Sequence, residues 1–480
     1  MHLKKQSING ALWTLIDMFL NKGVYFVTTV KLAGIIGPEK FGLIGMITLF
    51  VTIGNTLIDS GMSTSLLRSK DLSSYDYSTV FITNVIVSIF VYFFLFLASP
   101  YIAHFYEQPV LVDIIRVYCL GFIISSIRSI HTVKLIREFR FKKIALLSLP
   151  GNIISVFISI YLAKIGLGIW SIVSLFLINQ ITTTIVFLIF IKWTLVWKFS
   201  IRSFIYHFNF GYKLVLSSLL NTVFENINNV LIGKYYNIRL LGYYDRAYSL
   251  NIYPVSLLSG IIAKVSLPTL LQLNDDIQGL QYAYKRIMQV IFFITMYCLV
   301  FSAFLASPIV NILLGREWLD VIPMFQILAI SFVFYPLHSL NINILSLFGR
   351  SDLFLKLEVV KKLVFIVSVL IGFQYGIYGL VWSNVVSSIL ALIINSYYSG
   401  RFLNYSTINQ LSDLFPTIFV IGFALLFTSL INLFITYSNP YIMIMGTLFF
   451  SALITIIFSK LIALSPFMDI HKILKEYFPV

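Results

Sequence analysis

Residues 79–99 read TVFITNVIVSIFVYFFLFLAS, and none of them is charged. About 20 apolar residues in a helix are long enough to cross the hydrocarbon core of a bilayer. Similar runs recur along the 480-residue chain, which is 59% hydrophobic and 11% charged, with a mean hydropathy of +0.92. A soluble domain carries about a quarter charged residues. We therefore predict an all-α integral membrane protein.

Apolar runs bounded by charge, Gly or Pro predict about fourteen membrane-spanning helices. The first run follows Lys4 and Lys5 but contains Asp17 and Lys22 and lacks a small-residue cleavage site, so we expect a retained helix rather than a signal peptide. The predicted spans are 11–33, 41–59, 79–99, 110–130, 144–163, 167–191, 211–233, 247–270, 287–306, 319–345, 357–373, 377–397, 414–436 and 441–463.

The charges predict the orientation of these spans. With a cytoplasmic N-terminus, most of the 34 Lys and Arg residues fall in the inside connections, as the positive-inside rule requires. We therefore expect both termini in the cytoplasm. The net charge of +15 is then mainly topological and does not indicate a nucleic-acid partner.

The connections and motifs argue against an enzyme. The longest predicted outer connections are 234–246 and 307–318, too short to carry the catalytic loop of a membrane polysaccharide polymerase or glycosyltransferase. No His, Cys, Asp or Glu spacing suits zinc, and no phosphate-binding Gly-rich loop suits an ATPase. We expect no cofactor and no metal; H⁺ and Na⁺ are the candidate coupling ions.

An internal duplication is indicated by three landmarks that recur in order. Because the second set lies six spans after the first, both halves have the same orientation. The landmarks are FG at 41–42 and LG at 241–242, LASP at 97–100 and 305–308, and GIWS at 168–171 and GLVWS at 379–383.

The duplication predicts two parallel six-helix lobes followed by two further helices. Ile201, Phe204, Ile205 and Phe208 recur at helical spacing, which favours an amphipathic helix on the cytoplasmic surface between the lobes; an ordinary basic loop is the alternative. The predicted domains are the N-lobe at 1–191, the linker at 192–213, the C-lobe at 211–400, and the last two spans with a tail at 401–480.

Polar side chains form stripes on the first two helices of each predicted repeat. Ionisable groups inside spans are costly and usually face a cavity or another helix. The functional interpretation is a hydrophilic cavity in which Lys22 and Lys264 meet an anion; the alternative is hydrogen bonding between helices. The candidate cavity residues are Asp17, Asn21, Lys22, Thr48, Thr52, Asn55, Asn221, Glu225, Asn228 and Lys264. Asp59, Arg68 and Arg128 are candidates for a cytoplasmic gate or for contact with lipid headgroups.

Six motifs in order give the chain a family resemblance. The sequence resembles the polysaccharide transporter family, the O-antigen and exopolysaccharide flippases of the multidrug/oligosaccharidyl-lipid/polysaccharide superfamily. The resemblance extends through about the first 400 residues. The motifs are GPEKFGLIGM at 37–46, LIDSGMSTSL at 57–66, ASPYIAHFY at 98–106, GLGIWS at 166–171, LGYYDRA at 241–247 and LGREW at 314–318.

The resemblance implies a flippase of the bacterial inner membrane that moves undecaprenyl-pyrophosphate-linked oligosaccharide repeat units to the periplasmic leaflet by alternating access. The implied partners are the lipid-linked oligosaccharide, the membrane, and the polymerase and chain-length regulator of the same pathway. A multidrug or cation antiporter and a peptidoglycan-precursor flippase of the same superfamily are alternatives. A membrane polymerase or glycosyltransferase is the alternative from a different class.

Overall fold

A computed structural model describes residues 18–59, 61–191, 197–273, 276–435, 437 and 439–470. Within these ranges the ordered elements are helical and no β-strand occurs, which confirms the predicted all-α class. Nine segments of the described chain are long and apolar enough to cross a membrane. They are Val24–Asp59, Ser74–Tyr106, Phe141–Lys164, Trp170–Phe190, Ile277–Phe304, Val321–Leu347, Gly376–Leu403, Thr407–Phe434 and Pro440–Leu461.

The helices pack into two compact units, Met1–Asp245 and Arg246–Val480. The first unit begins with a π-helical turn, Met18–Gly23, and contains α1 to α8. These are α1 Val24–Asp59, α2 Met62–Arg68, α3 Ser74–Tyr106, α4 Leu111–Tyr118, α5 Leu120–Arg137, α6 Phe141–Lys164, α7 Trp170–Phe190 and α8 Ile201–Tyr235.

The next helix, α9, covers Ile238–Gln272 and spans the division between the units. The second unit contains the remaining helices and a 3₁₀ turn at Arg316–Trp318. The helices are α10 Ile277–Phe304, α11 Ala306–Leu313, α12 Val321–Val333, α13 Tyr335–Leu347, α14 Ser351–Gln374, α15 Gly376–Leu403, α16 Thr407–Phe434 and α17 Pro440–Leu461.

Two predicted connections between spans are shorter in the structure. The first two spans meet at a kink inside α1, where Gly37 adopts φ 78° and ψ 169°. Glycine reaches this left-handed region without a Cβ clash, and Pro38 fits the first turn of the resumed helix because it has no N–H to satisfy. Likewise, only Tyr236 and Asn237 separate α8 from α9.

Four predicted spans are helical but fall outside the nine apolar segments. They are 110–130, 211–233, 247–270 and 357–373, which lie on α4 with α5, on α8, on α9 and on α14. Arg128, Glu225 and Lys361 place charges on α5, α8 and α14, whereas many side chains of α9 lie outside what the structure describes. The predicted total of about fourteen spans and the cytoplasmic termini stay predictions.

Each unit contains a tightly packed helical hairpin at a corresponding place in the predicted repeat. In the first unit α6 packs on α7, and a Cβ added to Gly151 would lie 2.1 Å from the Thr183 Oγ1 atom. In the second unit α14 packs on α15, and a Cβ added to Gly372 would lie 2.4 Å from the Gly379 carbonyl oxygen. Small residues let membrane helices approach closely.

The division by packing lies at a different position from the predicted boundary between the repeats. α8 is the first helix of the second predicted repeat, yet it packs on α1, α2 and α3 within the first unit. α8 also runs without a break from Ile201 to Tyr235, so residues 201–213 of the predicted linker are continuous with the seventh span. The repeat boundaries themselves stay a prediction.

Candidate functional site

Two glycines bring the second half of α1 against the first turns of α9. A Cβ on Gly42 would lie 2.0 Å from the Ile238 carbonyl oxygen, and a Cβ on Gly242 would lie 2.1 Å from the Pro38 carbonyl oxygen. Each glycine therefore faces the carbonyl four residues before the other glycine. Only hydrogen fits at either position. This crossing holds the polar residues of α1 in place.

The polar stripe of α1 runs along a face that is less buried than its apolar neighbours. Thr48 and Thr52 are partly buried, and Asn55 and Asp59 are exposed, whereas Met46 is only 2% exposed. The Thr48 hydroxyl donates to the Ile44 carbonyl at 2.8 Å, and the Thr52 hydroxyl donates to the Thr48 carbonyl at 2.7 Å. Such bonds satisfy a hydroxyl within its own helix.

The second stripe lies on α8, which packs directly against α1. Asn221 is partly buried, Glu225 is exposed and Asn228 is buried. The Asn228 side-chain amide donates to the Tyr244 hydroxyl at 3.3 Å. The structure thus places the two predicted stripes on neighbouring helices of the first unit.

The structure does not describe the side chains of three candidate residues. Asp17 lies outside the described residues, and the side chains of Lys22 and Lys264 are also outside what the structure describes. Their proposed contact with an anion stays a prediction.

Asn21 belongs to a chain of amides across three helical elements. The Asn152 side-chain amide on α6 donates to the Asn21 oxygen, and the Asn179 amide on α7 donates to the Asn152 oxygen. Interhelical bonds of this kind join membrane helices. Sequence reasoning overlooked Asn152 and Asn179, although an isolated Asn within an apolar run was the available signal.

The three candidates for a gate or headgroup contact lie in different surroundings. Asp59 is exposed at the end of α1, and the exposed Arg68 lies over the Phe210 ring at 4.9 Å. Arg128 lies within α5 and is partly buried; its Nη2 donates to the Gln180 oxygen at 3.0 Å. In the described part of the chain, no ion pair joins these three residues.

A buried histidine, His207, attaches the start of α8 to α2 and α3 within the first unit. Ser65 Oγ lies 2.7 Å from His207 Nδ1, and His207 Nε2 lies 3.5 Å from Asp76 Oδ1. Burial lowers the pKa of His207, and the neighbouring Asp76 carboxylate opposes that shift. Phe204 packs beside the histidine on a cluster of Met62, Leu66, Val80, Ile130 and Val133. We call residues 201–211 the docked segment.

The second unit has its own polar core around Tyr284. The Tyr284 hydroxyl lies 2.8 Å from the Asn341 oxygen and 3.2 Å from the Gln410 oxygen, joining α10, α13 and α16. The Gln410 amide donates to the Tyr405 carbonyl at 2.9 Å. Because these buried groups are hydrogen-bonded, we interpret the network as structural.

Two apolar grooves also lie in the second unit. One, of about 720 Å³, runs along α14 and α15 and is lined by Tyr375, Tyr378 and Trp382 at one end. The other, of about 520 Å³, lies among α10, α12 and α16. Neither contains a charged lining residue. Among the described residues, no group of three His, Cys, Asp or Glu side chains could hold a metal ion.

Nine apolar segments of the described chain, each long enough to cross a membrane, define a multi-pass membrane protein. The chain belongs to the polysaccharide biosynthesis protein family, whose profile matches residues 31–323.

Two relatives are similar in sequence, and one solved structure is similar in fold. The lipopolysaccharide biosynthesis protein WzxC of Escherichia coli K12 is 24% identical over 78% of this chain and 76% of its own length. The teichuronic acid biosynthesis protein TuaB of Bacillus subtilis is 23% identical over 73% of each chain. The structure of the lipid II flippase MurJ in an inward closed conformation superposes with a TM-score of 0.75 at 16% identity, covering 95% of this chain and 98% of MurJ. The chain therefore has the MurJ-like fold.

Proposed function

We propose that this protein is a flippase for lipid-linked oligosaccharide repeat units in the bacterial inner membrane. It moves an undecaprenyl-pyrophosphate-linked unit of an O-antigen, capsule or exopolysaccharide from the cytoplasmic to the periplasmic leaflet. It acts as a transporter and not as an enzyme. The observation that carries the proposal is the family match over residues 31–323 in a chain whose fold is shared with the lipid II flippase MurJ.

The site supports this proposal through its chemistry. A sugar headgroup needs hydrogen-bonding partners when it leaves water, and the stripes on α1 and α8 supply hydroxyl, amide and carboxylate groups in Thr52, Asn221 and Glu225. The apolar helices leave the polyprenyl tail in the bilayer. We propose that the headgroup contacts these two stripes as the lobes alternate between inward-open and outward-open states.

An ion gradient drives the cycle in this proposal, with H⁺ or Na⁺ as the coupling ion. Glu225 is the described acidic side chain of the α8 stripe and is exposed. A polymerase and a chain-length regulator would act on the product after translocation.

Gene deletion tests the function directly. We expect the deletion strain to lose surface polysaccharide and to accumulate lipid-linked repeat units on the cytoplasmic face, where an added membrane-impermeant glycosidase cannot reach them. Re-expression of the wild-type chain restores the surface polymer. Fully polymerised surface polysaccharide in a deletion strain that lacks any second flippase would contradict the proposal. Selective accumulation of the peptidoglycan precursor would instead identify that lipid as the substrate.

A further inference from the structure

Among the residues that the structure describes, no carboxylate pairs with the Arg128 guanidinium. In the described chain its contacts are the Gln180 side-chain oxygen at 3.0 Å and the Phe187 ring, whose centroid lies 5.7 Å from Cζ. Both partners are uncharged. Helices α5, α6 and α7 contain no Asp or Glu residue. A charge removed from water without a partner is strongly unfavourable.

The depth of Gln180 argues against simple snorkelling to the interface. Gln180 is the middle residue of α7, Trp170–Phe190, an apolar candidate span. It therefore lies about 15 Å from either end of the helix at 1.5 Å per residue. Long basic side chains that snorkel extend towards the headgroups, whereas this guanidinium extends inward to the middle of a neighbouring span.

Polar side chains of α7 lie near Arg128. Arg128 and Gln180 both retain some exposed surface. Asn179, next to Gln180, continues the amide chain to Asn152. An incoming oxyanion would therefore meet a guanidinium that Gln180 holds in place, beside neutral groups that can accept or donate hydrogen bonds to sugar hydroxyls.

We propose that Arg128, positioned by Gln180, binds a phosphate oxyanion carried by a lipid, namely the pyrophosphate of the translocated substrate. This inference rests on the proposed function. Guanidinium groups bind phosphate oxygens in a two-pronged geometry that Lys cannot reproduce. The same chemistry would suit the phosphate of a bulk anionic phospholipid, so the experiment separates these two sources.

The test uses the full-length protein in phosphatidylcholine nanodiscs and measures equilibrium binding of undecaprenyl pyrophosphate. A parallel arm measures binding of phosphatidylglycerol. The decisive variant is Gln180→Glu, which is nearly isosteric and gives Arg128 an internal carboxylate. We expect this variant to fold at least as stably as wild type. It should bind undecaprenyl pyrophosphate about tenfold or more weakly, because Arg128 then pairs with Glu at position 180 and its charged hydrogen bonds to the pyrophosphate are lost.

Two further variants keep the test independent of folding. Arg128→Gln should weaken binding of undecaprenyl pyrophosphate as much as Gln180→Glu does. The affinity of Arg128→Lys should lie between those of Arg128→Gln and wild type. The matched control is Arg140→Gln, since Arg140 is exposed and already pairs with Glu138 at 3.0 Å. We expect that control to bind as wild type.

The outcomes distinguish this inference from the proposed function. Wild-type binding by a folded Gln180→Glu variant overturns the Arg128 site while leaving the flippase proposal standing. Arg128-dependent binding that is equally tight for phosphatidylglycerol overturns the substrate assignment. A wild-type protein that ignores undecaprenyl pyrophosphate but binds phosphatidylglycerol through Arg128 contradicts the proposed function and retains the anion site.

Discussion

Gly42 and Gly242 pack reciprocally, each against the backbone carbonyl four residues before the other. The two glycines mark corresponding positions in the predicted repeats, so the crossing has the local symmetry expected of a duplicated chain. The contact lies entirely within the first compact unit.

Alanine at either glycine should destabilise the fold. A Cβ at Gly42 or Gly242 would lie 2.0 or 2.1 Å from a carbonyl oxygen, and overpacking costs about 1–3 kcal/mol. We expect a lower thermal midpoint for Gly42→Ala and Gly242→Ala in detergent. Gly422→Ala is the control, because a Cβ there meets nothing within 4 Å. Equal midpoints for all three variants would refute the crossing.

The docked segment, residues 201–211, should bind less stably to α2 and α3 in mild acid. Burial lowers the pKa of His207 from its ordinary value of about 6.5, so the undocked segment takes up a proton more readily than the docked one. Docking stability is therefore full above about pH 6.5 and falls as the pH drops through that value. Hydrogen exchange, corrected for intrinsic rates, should show faster opening of this segment at pH 5.5 than at 7.5. The α6–α7 hairpin serves as the internal reference. If the ratio of the opening rate of the docked segment to that of the hairpin is the same at both pH values, His207 does not control docking.

Loss of Asn152 should uncouple three helical elements. Asn152→Leu removes the two hydrogen bonds that join Asn152 to Asn21 and to Asn179, and each lost bond costs about 0.5–1.5 kcal/mol. The double variant Asn21→Leu/Asn152→Leu should cost less than the sum of the single variants, since the shared bond is lost only once. Thermal unfolding of the four proteins measures this coupling, and strict additivity would argue against the hydrogen bond.

Tyr284→Phe should destabilise the second unit. The change removes a hydroxyl that contacts the Asn341 and Gln410 oxygens at 2.8 and 3.2 Å, and we expect a loss of about 1–3 kcal/mol. Tyr375→Phe removes the same hydroxyl from a side chain that is 77% exposed and should leave stability unchanged. Indistinguishable unfolding curves for the two variants would show that the network contributes nothing.

Glu225→Ala and Lys264→Ala should impair translocation at a normal protein level. Both residues belong to the predicted polar stripes, and Glu225 is exposed on α8. Complementation of the deletion strain, read as surface polysaccharide per unit of membrane protein, measures the effect. Glu138→Ala is the control, because Glu138 pairs with Arg140 on an exposed turn. Wild-type polysaccharide in both stripe variants would remove these residues from the candidate site.

The structure confirms some sequence predictions and adds contacts that the sequence did not predict. Apolar runs predicted the helices well, because the bilayer requires each spanning segment to satisfy its own backbone. Periodicity also predicted that Thr48, Thr52 and Asn55 share a face of α1. It gave no account of Asn152, Asn179 or Gln180, since a lone amide in an apolar run has no periodic pattern until its partner on another helix is known.

Composition and the order of apolar runs by themselves determined that this is an all-α membrane protein, because water and lipid select such segments by hydropathy alone. The sequence alone made Arg128 one of three candidates for a cytoplasmic gate or for contact with lipid headgroups. Only the tertiary structure decided that its guanidinium meets Gln180 at the middle of α7 and has no carboxylate partner in the described chain. The physical reason is that the cost of a charge depends on what surrounds it, and those surroundings come from helices distant in the sequence.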